Sequence, residues 1–165
     1  MPKRLLMPIV TMLLLFASAI AQEPATILSG AELKRVVPDS FYYEGQSAPT
    51  QMRNAASVRF GTKRFVIVAM VDTSGYSTEI QAKYQGFFIT DSRITVGGSE
   101  LGPGAYGFGF SEDKLNIFDI GNNSLISVGV TKDSALKRPR PLVMTKAADG
   151  VRLYSGRSYT VIAAK

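Results

Sequence analysis

A chain of 165 residues with 19 basic and 13 acidic side chains, and with no cysteine, histidine or tryptophan, loses several chemistries at once. There can be no Ser-His-Asp or Cys-His nucleophile, no disulfide framework and no zinc site built from the usual N or S ligands. A formal net charge of +6 is only mildly basic, far from the density of nucleic-acid binders, so nucleic acid is not an expected partner.

The N-terminus has three zones. Lys3 and Arg4 supply a positive region, no charge follows until Glu23, and the apolar run between them is densest from Ile9 to Phe16. Ala19-Ile20-Ala21 closes it with the small-x-small pattern that suits a signal peptidase. The competing reading is a membrane anchor, but the uncharged stretch from Leu5 to Ala21 barely reaches spanning length and contains Pro8. Residues 1–21 are therefore expected to be a signal peptide. Residues 22–165 are expected to be a single β-rich domain, periplasmic or extracellular, with no transmembrane segment in the mature chain. Lipid attachment at the cleavage site would need a cysteine. Without Lys3 and Arg4 the formal net charge falls from +6 to +4.

Residues 22–27 show no periodicity and are expected to be disordered. Ser29 followed by Glu32 forms a capping box, with Leu28 and Leu33 as its hydrophobic staple. Lys34 and Arg35 complement the helix dipole and Pro38 stops the helix, so residues 30–37 are predicted helical, lying over the first strands. From Ser57 the pattern becomes that of strands. Arg64 to Asp72 is a continuous β-branched run, as in a strand buried on both faces. Glu79 to Gln85 alternates like a strand, although a helix would also gather Tyr76, Ile80 and Tyr84 onto one face. Gly86 to Thr90 continues as strand.

A meander follows. Strands are predicted at 93–96, 105–110, 115–120 and 125–130, separated by turns at Gly97-Gly98, Glu112-Asp113 and Gly121-Asn122-Asn123. After a polar, proline-containing connector at 131–141 come strands at 142–145, 151–154 and 159–163. About ten short strands with one short N-terminal helix describe a mainly β, compact antiparallel sandwich or barrel.

Several local motifs mimic chemistry. Gly102-Pro103-Gly104-Ala105-Tyr106-Gly107 matches the dinucleotide fingerprint in letters, but a strand follows it where the fingerprint needs a helix to hold the pyrophosphate. No cofactor is expected. Ser111 to Lys114 and Ser134 to Lys137 both fit S-x-x-K; the first falls in a strand-to-strand turn, and the second, open to a helical reading, is better taken as a solvated loop. Asp119, Asn122, Asn123 and Ser124 offer oxygen atoms, fewer than calcium requires, so no metal is expected. Thirteen carboxylates keep an acid/base pair conceivable, with Tyr42, Tyr43 and Tyr76 as substitutes for tryptophan in stacking on a sugar.

The charge cluster that stands out is Lys137-Arg138-Pro139-Arg140-Pro141. Its prolines hold the backbone extended, so Lys137, Arg138 and Arg140 splay outward either as a solubilising loop or as a contact for an anionic surface. Ile94-Thr95-Val96-Gly97-Gly98, then Leu101, then Pro103-Gly104-Ala105-Tyr106 resembles a hairpin of secreted bacterial β-proteins of unknown function, with the pattern V-x-V-G-G-x-x-L-x-x-G-x-Y. The resemblance spans residues 94–110 and implies a small β-sandwich and bacterial export. It implies no catalytic residue.

The expected function is an exported, non-enzymatic binding or structural module of the cell envelope or exterior. Its expected partners are an anionic envelope surface or another envelope protein. The alternative is a carboxylate-dependent, glycosidase-like hydrolase. Buried carboxylates of raised pKa in a cleft would favour the hydrolase, and an open sheet edge would favour the binding module.

Overall fold

Phe87 and Phe88 are neighbours that point to opposite faces of the central sheet, and both are fully buried, so the sheet is covered on both faces. The computed structural model describes residues 24–165. The expected signal peptide and the expected mature start at Gln22 lie outside the described residues. In chain order the elements are β1 (Ala25–Ile27), α1 (Gly30–Val36), β2 (Ser40–Tyr43), β3 (Gln46–Phe60), β4 (Arg64–Val71), α2 (Thr78–Gln81) and β5 (Gly86–Thr90). Then follow β6 (Ile94–Val96), β7 (Ser99–Leu101), β8 (Gly104–Ser111), β9 (Lys114–Phe118) and β10 (Ser124–Gly129). The last four are β11 (Thr131–Lys132), β12 (Arg140–Ala147), β13 (Gly150–Gly156) and β14 (Ser158–Ala164).

The larger sheet runs β1-β3-β4-β5-β8-β9-β10, with β2 added to β3, and the smaller runs β12-β13-β14-β6-β7, with β11 added to β14. The pairing is antiparallel throughout, and the sheets do not close into a barrel. The fold is a β-sandwich. Val58, Val66, Val68, Phe88, Phe108 and Ile117 of the larger sheet pack against Val96, Leu153 and Ile162 of the smaller in the main core. Burial of this apolar area, at about 25 cal/mol per Å², holds the layers together.

A second core lies on the other face of the larger sheet. There Ala69, Val71 and Phe87 are covered by Phe41, Tyr43 and Ala48 and by Tyr76, Ile80 and Tyr84. Phe41 stacks on Phe87 with ring centroids 4.9 Å apart, and Tyr43 stacks on Tyr84 at 3.9 Å. The hairpin of β2 and β3 reaches this face because β3 shifts register against β4 between Thr50 and Ala55. This double cover explains the continuous apolar run of β4.

The structure corrects five expectations. Residues 25–27 are ordered as β1, because Ala25 to Ile27 pair with Phe60 to Val58 at the sheet margin. The strand expected at Glu79–Gln85 is instead α2 and a turn, since Ile80 and Tyr84 must bury together. Ser77 caps α2 by accepting from the Ile80 amide at 3.4 Å. Helix α1 forms but lacks the capping-box hydrogen bond, because Ser29 makes no side-chain contact with a helix amide. Strands also begin well before Ser57, in β2 and the long β3. The described residues therefore hold 14 strands and two helices in the expected mainly β, antiparallel fold, with more short strands than the ten or so expected.

Candidate functional site

The basic connector begins where the chain leaves one sheet for the other. After β10, the short β11 pairs with β14, setting Thr131 opposite Tyr159 and Lys132 opposite Ser158. The next residues are fastened from both sides. The Asp133 amide donates to the Arg157 carbonyl at 2.8 Å, and the Tyr154 hydroxyl donates to Asp133 Oδ2 at 2.9 Å. Asp133 Oδ1 closes a turn by accepting from the Ala135 amide at 3.1 Å. Arg157 donates from Nη1 to the Ser134 carbonyl at 3.2 Å and also to that of Leu136.

Beyond this clasp Lys137, Arg138, Pro139 and Arg140 are all exposed. Arg140 opens β12 opposite Gly156. Pro139 and Pro141 on either side fix φ and favour an extended Arg140. Among the described residues, none of the three cationic side chains has a hydrogen bond or ion pair. The backbone beneath them is ordered while their charge is unspent.

Arg152 lies with its guanidinium carbon 4.5 Å from the ring centroid of Tyr159, whose ring is 5.1 Å from that of Tyr154. Tyr154 is buried, and that burial pushes its hydroxyl above the usual tyrosine range. It therefore stays a neutral donor to Asp133 at physiological pH. Sequence reasoning singled out Lys137, Arg138 and Arg140, which are exposed, but gave no sign of Asp133, Tyr154 and Arg157, which fasten the residues just before them. No local signal marks that clasp, since Tyr154 and Arg157 lie 21 and 23 residues from their acceptors.

The other motifs resolve into structure. Asp119 Oδ1 accepts from the amides of Gly121 and Asn123 at 3.0 and 2.9 Å, and Oδ2 from the Asn123 side chain at 2.9 Å. These bonds, led by the Asn123 side chain, hold its carboxyl below the usual range. Its oxygens brace a turn. Gly107 of the fingerprint-like segment gives room to a neighbour, because a Cβ there would lie 2.3 Å from the Tyr43 ring. Ser111 accepts from Asn116 at 3.1 Å beside a tight turn in which Glu112 and Asp113 have φ of 51° and 59°.

Tyr43 and Tyr76 are buried and cannot serve as a sugar platform, which leaves only Tyr42 exposed of the three. Among the described residues no Asp or Glu side chain is buried, and Asp72, like Asp119, is held low, here by hydrogen bonds from Ser74. That is the opposite of what a general acid needs. A cleft of about 270 Å³ at one end of the sandwich is lined by Phe60, Lys146 and Ala164 among others, without a carboxylate. Among the described residues no helix is long and apolar enough to cross a membrane. Comparison with family models, with curated proteins and with solved structures finds no match to this chain.

Proposed function

We propose that this chain is an exported binding module that holds an anionic surface of the envelope or exterior through Lys137, Arg138 and Arg140. The observation that carries the reading is the contrast within the connector. Asp133 to Leu136 are clasped by Tyr154 and Arg157, while the cations that follow are exposed and unpaired among the described residues. A fixed backbone that presents free cations loses less conformational entropy on binding than a floppy basic tail. The charge and apolar layout of residues 1–21 and the resemblance of residues 94–110 support export by a bacterial route.

Each cation near an anionic bilayer contributes about 1 kcal/mol at low salt. Changing Lys137, Arg138 and Arg140 together to Ser should therefore weaken binding to anionic vesicles about a hundredfold. The melting temperature should stay nearly unchanged, because the three side chains are solvated. Equal binding by the triple variant and its parent would refute the assignment. A triple variant that unfolds would show that the connector is packed and not presented.

A further inference from the structure

The clearest unassigned feature outside the cationic connector is the free edge of β10. Val130 donates to the Asp113 carbonyl at 3.0 Å, while Val128 stands opposite Leu115 and Ile126 opposite Ile117. Hydrogen-bonded pairs alternate along an antiparallel ladder, so the amides and carbonyls of Ser127 and Gly129 point away from β9. Among the described residues no strand besides β9 pairs with β10.

Sheet edges invite pairing unless charge, proline, shortness or cover blunts them. Three of the other margins are blunted. β12 carries Arg140, Pro141 and Lys146, β7 is three residues long with Glu100 bound to Arg93 and Lys165, and β1 is three residues long. β10 has no charge and no proline from Ser124 to Gly129. A register shift between Ser124 and Ile126 confines its regular edge to the stretch that follows. Ile120 and Leu125, 51% and 49% exposed, flank that stretch.

We propose that two copies of this chain pair their β10 strands antiparallel, so that the larger sheet continues from one molecule into the next. A second copy fits because the edge is self-complementary about a two-fold axis. With the axis at Val128, Ser127 faces Gly129 of the other copy, and both are small. A Cβ built on Gly129 meets nothing within 4 Å, so the outer face there is open. The charges agree with this pairing. The end of one strand that holds Asp119 approaches the end of the other that holds Lys114 and Lys132, the latter bonded to Asp113 beside Glu112. A cationic chain thus meets its copy along an uncharged run.

One short strand pair buries less than the roughly 1,200–2,000 Å² of a standard interface, so dissociation falls in the micromolar range or weaker. The test is sedimentation velocity of the mature chain over about a hundredfold dilution, at low and high salt. The parent should shift from dimer to monomer with dilution and respond little to salt. Ser127→Lys places cations beside the axis, gives up the 2.8 Å bond that the Ser127 hydroxyl donates to Asn116 Oδ1 on β9, and should weaken association at least about tenfold. Leu125→Lys, at an exposed position, should do the same if Ser127→Lys misfolds. Lys63→Ser, in the exposed turn between β3 and β4, should associate as the parent does. A parent that stays monomeric overturns the proposal, as does a folded edge variant that dimerises like the parent.

Discussion

The hydroxyl of Tyr154 reaches Asp133 Oδ2 at 2.9 Å and ties the connector between the sheets to the face of the smaller one. The tie decides whether the cations after it ride on a fixed or a loose backbone. Replacing Tyr154 with Phe keeps the ring and deletes the donor. The change should cost about 1–2 kcal/mol and raise hydrogen exchange across residues 133–136 before it does so elsewhere. Exchange that rises evenly through both sheets would mean that the bond serves global stability and not the connector.

Alkali should unfold the protein through its buried tyrosines. Burial, first among the causes, raises the hydroxyl pKa of both Tyr43 and Tyr84 above the ordinary value. A group whose folded pKa is raised contributes stability that is present in full below its unfolded pKa and is lost as pH rises towards the folded one. Stability should therefore hold up to about pH 10 and fall above it. Tyrosinate absorbance should show Tyr43 and Tyr84 ionising only as the fold opens. Tyr43→Phe loses the bond to Asn122 Oδ1, 2.9 Å long, and should cost about 1 kcal/mol at neutral pH.

Gly109 marks where the turn after α2 presses on the larger sheet. A Cβ there would lie 1.8 Å from the Lys83 carbonyl oxygen, a backbone atom that cannot move aside. Gly109→Ala should destabilise by more than about 2 kcal/mol, whereas Gly129→Ala, with open space around it, should change stability little. Thermal melts of the two variants compare these sites directly.

The parts of this fold that are legible in the sequence are those governed by local chemistry. The turns at Gly97-Gly98 and Glu112-Asp113 need positive φ and have it, so the meander from β6 to β10 follows from turn residues and alternation. Glu79 to Gln85 misleads because its alternation suits a strand, while the deciding contact, Tyr84 against Tyr43, comes from a hairpin far along the chain. The first half of β3 alternates in burial but with only Ala48 and Met52 as apolar inward side chains, since a hairpin extending past the sheet places few side chains in the main core. The exposure of Lys137, Arg138 and Arg140 follows from charge and proline. Their clasp by Tyr154 and Arg157 does not, because side-chain to loop bonds across a sheet leave no periodic trace.

The most direct test of the cationic site is a binding titration of the mature parent chain against vesicles with and without anionic lipid, at low and at physiological salt. Exposed cations act over a Debye length of about 10 Å at 0.1 M salt, so binding through them must weaken as salt rises. The account predicts binding to anionic vesicles alone, weakening steeply with salt. Binding that is equal for neutral and anionic vesicles, or indifferent to salt, would contradict it.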